Sequence, residues 1–118
     1  LYHKLRRQGK TRAIFLAGDS SLDNKFWFND AAPAVNGFER ILQPSRMKQD
    51  VCYWMNYECV ARSESNLCCI NTAVEATSLN NRPFGCLLTA QDRFIQNNIR
   101  KDDVLVVSVG GNDIALMP

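Results

Sequence analysis

The chain has one histidine, His3, and no two cysteines at C-x-x-C spacing, so none of the usual zinc ligand patterns can be assembled from it. No apolar run approaches the eighteen or so residues of a membrane span, and no apolar core follows the basic N-terminus as a secretory leader would require. Internal repeats and low-complexity segments are missing as well. A basic stripe is also lacking. Of fourteen Lys and Arg side chains, five (Lys4, Arg6, Arg7, Lys10 and Arg12) lie ahead of or open the first apolar run, leaving nine against twelve Asp and Glu. The body is therefore mildly acidic, which excludes a nucleic-acid reader, and residues 1–11 read as a solvated basic lead-in.

Five cysteines are present, Cys52, Cys59, Cys68, Cys69 and Cys86, and an odd number leaves at least one thiol unpaired. Cys68 and Cys69 sit inside the apolar run 67–70, where a free thiol behaves as a small hydrophobe. Reduced, structural thiols and a cytoplasmic location are the resulting expectations.

With 118 residues, 46% of them hydrophobic, the chain can fill one compact core but not two. It starts at Leu1 rather than Met and stops just past a strand-turn motif, and the expectation is the N-terminal part of a longer domain. Three short apolar runs read as strands: 12–17, closed by Gly18, 67–71, and 104–109 after the Asp102-Asp103 turn. Pro33, Gly37 and Pro44 break residues 24–44 into loop, with a short helix around 38–42. From Ser45 to Arg62, Met47, Val51, Trp54, Met55 and Cys59 recur at three- and four-residue steps, predicting an amphipathic helix capped by Ser45, with Tyr53 and Trp54 at core or boundary. A second helix, opened by Thr89-Ala90-Gln91-Asp92, aligns Leu88, Asp92, Ile95 and Ile99. Strands alternating with helices predict a parallel α/β sheet, and the order second-first-third would set Gly18 and Gly110 on one rim.

Both rims carry polar turns. Gly18-Asp19-Ser20 offers a hydroxyl that can attack a carbonyl if a base removes its proton and donors hold the oxyanion. Gly110-Gly111-Asn112-Asp113 offers a neutral amide donor on a backbone able to approach closely. Taken singly, each is also an ordinary turn.

Together these residues resemble the SGNH or GDSL-type serine hydrolases. Gly18-Asp19-Ser20-Ser21-Leu22 is similar to the first block of that family, with Ser20 at the nucleophile position. Gly110-Gly111-Asn112-Asp113 is similar to its third block, with Asn112 as an oxyanion donor. Residues 71–78 resemble the second block, with Ala76 where the family has a glycine, whose backbone N–H completes the hole together with that of Ser20. The resemblance spans roughly Ala13 to Asp113. It implies a three-layer αβα sandwich with flavodoxin-like strand order, no cofactor, no metal, and hydrolysis of esters, thioesters or O-acetyl groups through an acyl-serine.

One part is missing. The family draws its base and orienting carboxylate from a DxxH block, which this chain lacks, and His3 has no acidic residue three positions before it. The chain alone is then expected to be inactive, its histidine supplied by a missing C-terminal segment. That segment, or a second copy, would also cover the open sheet edge left at the third strand. Two rival readings follow: an inactive SGNH-like binding domain, and a Mg²⁺-dependent phosphate-handling domain using Asp19, Asp23 and Asp113. Phe26-Trp27-Phe28 is a candidate substrate wall or loop core, and Asn24 and Lys25 are candidate substrate contacts.

Overall fold

The computed structural model describes residues 1–18, 31–72 and 90–108. Its elements are α1 (Tyr2–Arg7), β1 (Arg12–Gly18), β2 (Ala31–Pro33), a 3₁₀ turn (Phe38–Arg40), β3 (Arg46–Lys48), α2 (Val51–Ala61), β4 (Leu67–Asn71), α3 (Ala90–Asn98) and β5 (Val104–Ser108). β1, β4 and β5 form a parallel sheet in the order β4-β1-β5, so the first strand lies between the other two. β2 and β3 pair antiparallel as a separate ribbon.

Alternation along β1 explains why helices cover both faces of the sheet. Ala13, Phe15 and Ala17 point to one side and pack with Tyr2 and Leu5 of α1, Ile95 of α3, Phe38, and Cys68 and Ile70 of β4. Leu16, with Ile14 beside it, points to the other side and packs with Cys52 and Met55 of α2 and Cys69 of β4. Phe15, Leu16 and Leu5 are fully buried, each contributing on the order of 2 kcal/mol by removal from water.

The N-terminal segment is not the solvated lead-in that its charge predicts. Tyr2, Leu5 and Lys10 are buried, and α1 is strapped across the sheet by Arg6. The Arg6 guanidinium grips Asp103 at 2.7 Å, with both side chains almost fully covered. Asp103 also accepts from Ala13 N at 2.8 Å and Arg100 N at 2.7 Å, and Arg6 donates to the Tyr2 hydroxyl at 2.9 Å. Burial alone would raise the Asp103 pKa, but its hydrogen bonds from Arg6 and two backbone amides, with the nearby cation, hold it below the ordinary carboxylate value. One carboxylate thus ties α1, the start of β1 and the turn into β5 together.

The helix predicted from Ser45 starts later. Residues 46–48 are strand β3, and Asp50 is the N-cap, its Oδ1 accepting from Tyr53 N at 2.9 Å. The buried face is also rotated: Cys52, Tyr53, Asn56 and Cys59 face inward, while Val51 and Trp54 are exposed. The polar residue on that inward face explains the rotation. Asn56 Oδ1 accepts from Cys69 N at 2.9 Å, and its Nδ2 donates to Cys69 O at 3.0 Å, so the side chain pairs with β4 as a neighbouring strand would. Asn36 extends the seal, donating to Asn56 Oδ1 at 2.8 Å and Leu67 O at 2.9 Å, while Lys10 Nζ donates to Asn36 Oδ1 at 2.6 Å and Ser65 O at 2.7 Å.

Candidate functional site

Parallel strands deliver their carboxyl ends to one edge, and in open α/β sheets the ligand crevice lies outside that edge where the strand order reverses. Here the chain moves from β1 to β4 on one side and then to β5 on the other, so the reversal falls between β1 and β5. At that point Gly18 is the register partner of Ser108.

Gly18 is required there by space as well as conformation. Its φ is +155°, and a Cβ on it would overlap the carbonyl oxygen of Ser108. The two backbones approach closely only because the side chain is a hydrogen. On the far side of β1 the end of β4 is pinned to its neighbour by hydrogen bonds. Thr72 N and Thr72 Oγ1 both donate to Leu16 O, at 2.9 and 2.6 Å. Sequence reasoning had not singled out Thr72, although its place directly after the Leu67–Asn71 strand was visible.

Of the sequence-predicted site residues, Gly18 is the one the structure describes, at the carboxyl end of the central strand. Asp19, Ser20, Ala76, Gly110, Asn112 and Asp113 lie outside the described residues, as do Asp23, Asn24, Lys25 and Phe26-Trp27-Phe28. His3 is exposed on α1, its ring edge-on to Tyr2 at 5.2 Å between centroids. Among the described residues, no three His, Cys, Asp or Glu side chains gather as a metal site. No helix among them is long and apolar enough to cross a membrane.

An apolar hollow of about 330 Å³ adjoins the Gly18 end of the sheet, floored by Ala17, Leu105 and Val107 and walled by Ile95 and Ile99 of the α3 region. A larger one, about 620 Å³, lies on the opposite face between α2 and Ile14 of β1. Three thiols are also moved by their surroundings. Cys52, Cys59, Cys68 and Cys69 are all free and buried, as expected of structural thiols. Burial pushes Cys68 up to about 11 and raises Cys59, while a hydrogen bond with Cys52, reinforced by burial, raises Cys69 further. None of these three is a thiolate at neutral pH, so none is a ready nucleophile.

Comparison with family models, with curated proteins and with solved structures gives no match to this chain.

Proposed function

We propose that the chain carries the nucleophile and oxyanion half of a serine hydrolase site for esters, thioesters or O-acetyl groups, on an SGNH-type sheet. Ser20 is the nucleophile, and the Asn112 amide with the backbone N–H groups of Ser20 and Ala76 stabilises the oxyanion. Gly18, Asp19, Gly110 and Asp113 shape the two turns that carry them.

The observation that supports this reading is the pairing of Gly18 with Ser108 at the carboxyl end of adjacent parallel strands. Ser20 follows Gly18 by two residues and Asn112 follows Ser108 by four, and the two strand ends they follow stand one strand spacing, about 4.8 Å, apart. β4, whose end precedes Ala76 in sequence, flanks the same central strand. A hydroxyl and a carboxamide starting from neighbouring strand ends can flank one carbonyl. The reaction would begin with attack of Ser20 Oγ on that carbonyl, its proton passing to a base. The developing oxyanion would then take hydrogen bonds from Asn112 and the two amides before the leaving group departs.

His3 is not that base in this reading, being exposed on α1 with its ring edge-on to Tyr2. The imidazole comes from outside these 118 residues. Incubation with a fluorophosphonate, read by intact mass and peptide mapping, is expected to give one adduct on Ser20, formed faster when free imidazole is added. Ser20→Ala should abolish it, and Asn112→Ala should slow it by roughly two orders of magnitude, the usual cost of one oxyanion donor. Adducts that persist in Ser20→Ala, or a hydrolysis that needs Mg²⁺ and survives that substitution, would overturn the assignment.

A further inference from the structure

From the sulfur cluster between α2 and β4 we infer a second, independent site: Cys52, Met55 and Cys69 form a ligand set for one soft monovalent metal ion of the Cu(I) class. Cys52 and Met55 are three residues apart on α2 and therefore share a face, opposite Cys69 in the middle of β4. Cys69 Sγ lies 3.8 Å from Met55 Sδ, and Cys52 Sγ donates to the Cys69 carbonyl oxygen at 3.3 Å. Thiolate sulfur binds a filled-shell ion at about 2.3 Å, so three sulfurs set in a plane around one ion stand about 4 Å apart. The separation of 3.8 Å between the Cys69 and Met55 sulfurs already meets that spacing.

The donor set decides the metal class. Two thiols and a thioether, with no imidazole or carboxylate gathered beside them among the described residues, favour Cu(I) over zinc, calcium or magnesium. Cys52 and Cys69 are 6% and 0% exposed, an environment that penalises a strongly hydrated ion far more than a weakly hydrated one. The 620 Å³ hollow reaches the set at Met55, which lines it together with Glu58 and Glu64. Asn56 Nδ2 donates towards Cys52 Sγ at 3.5 Å, the outer-sphere hydrogen bond a bound thiolate needs. On binding, each thiol loses its proton to solvent and forms a sulfur–copper bond. Two protons leave per ion, and copper stays in its +1 state.

The test is an anaerobic titration of the reduced chain with the Cu(I)–bicinchoninate complex, following loss of chelator colour and, in weak buffer, release of protons. One equivalent of Cu(I) should transfer to the wild type, with two protons released. Cys52→Ser and Cys69→Ser should each abolish the transfer, whereas Cys68→Ser, altering the neighbour that faces the opposite side of β4, should retain it. Because a core substitution can unfold the chain, Met55→Leu, which conserves volume, serves as the second variant. It should keep the fold by circular dichroism while weakening Cu(I) binding about tenfold. Colour fully retained by the chelator with the wild type, equal loss in Cys68→Ser, or unchanged affinity in Met55→Leu would overturn the assignment.

Discussion

The two margins of the parallel sheet are built in opposite ways. Along β4 the outer edge is closed by side chains: Asn56 takes both the N–H and C=O of Cys69, and Asn36 takes the carbonyl of Leu67. Cys68, Cys69 and Ile70 are buried behind that seal. Along β5, Val104, Leu105 and Val107 are 46%, 47% and 60% exposed, though the strand is as apolar as β4 and is paired among the described residues with β1 alone. Because Val104 and Leu105 point to opposite faces, the apolar surface is exposed on both sides of this strand. Natural edges are usually blunted by lysine, proline or a bulge, and Val104–Ser108 carries none of the three. Edge stability is therefore not a property of strand composition. It depends on whether another element supplies hydrogen-bonding side chains at the right height, as α2 does for β4.

The comparison can be broken at four points. The largest effect is expected at Asp103, where the bare side is fastened to α1 and β1: Asp103→Ala leaves the Arg6 guanidinium buried without its partner and should cost about 4 kcal/mol in urea unfolding. The same carboxylate sets a pH dependence. Its folded pKa lies below the unfolded value of about 3.9, so the unfolded chain binds more protons in that window. Its contribution is complete above pH 4 to 5 and is lost as pH falls through the folded pKa. Asp103→Asn should flatten this acid limb.

Next comes the seal on β4. Asn56→Ala strands the Cys69 N–H in the core and leaves its C=O with the weak Cys52 thiol donor alone, and should cost about 3 kcal/mol, whereas a value below about 1 kcal/mol would show the seal to be incidental. Trimming one methyl behind it, Ile70→Val, should cost about 1 kcal/mol. On the other margin Val107→Thr should change stability by no more than about 0.5 kcal/mol, because the side chain is already in solvent. A cost near that of a buried valine would mean that β5 is covered in solution and that the two margins are alike.

The three sheet strands were legible because each is a short apolar run set off by polar or turn residues, with Gly18 closing the first and Asp102-Asp103 opening the third. Parallel pairing followed from the helices between them, and the expected order of second, first, third is the order found. α1 was misread because His3-Lys4-Leu5-Arg6-Arg7 offers a single apolar side chain. Its charge looked solvated until Asp103, distant in sequence, arrived opposite Arg6. α2 was misphased because Met47, Val51 and Trp54 fit a helical stripe that leaves out the polar Asn56, which the structure turns inward. Nothing local announces that its amide matches the free edge of a strand. At the candidate site, Gly18 was recognised as a turn residue, but its contact with the Ser108 backbone is a fact of strand register, not of its own neighbours.

Local pattern by itself determined which segments become strands, where the central one stops, and that Ser20 and Asn112 each sit a few residues past a strand end. Those features depend on side chains a few positions apart, which a reader of the chain sees directly. Tertiary structure alone decided that Gly18 lies against Ser108, that Arg6 neutralises Asp103, that Asn56 closes one margin while Val104, Leu105 and Val107 of β5 are exposed, and that Cys52 and Met55 of α2 pack against Cys69 of β4. Each of these joins groups from separate elements, and such meetings are fixed by packing and register across the whole fold.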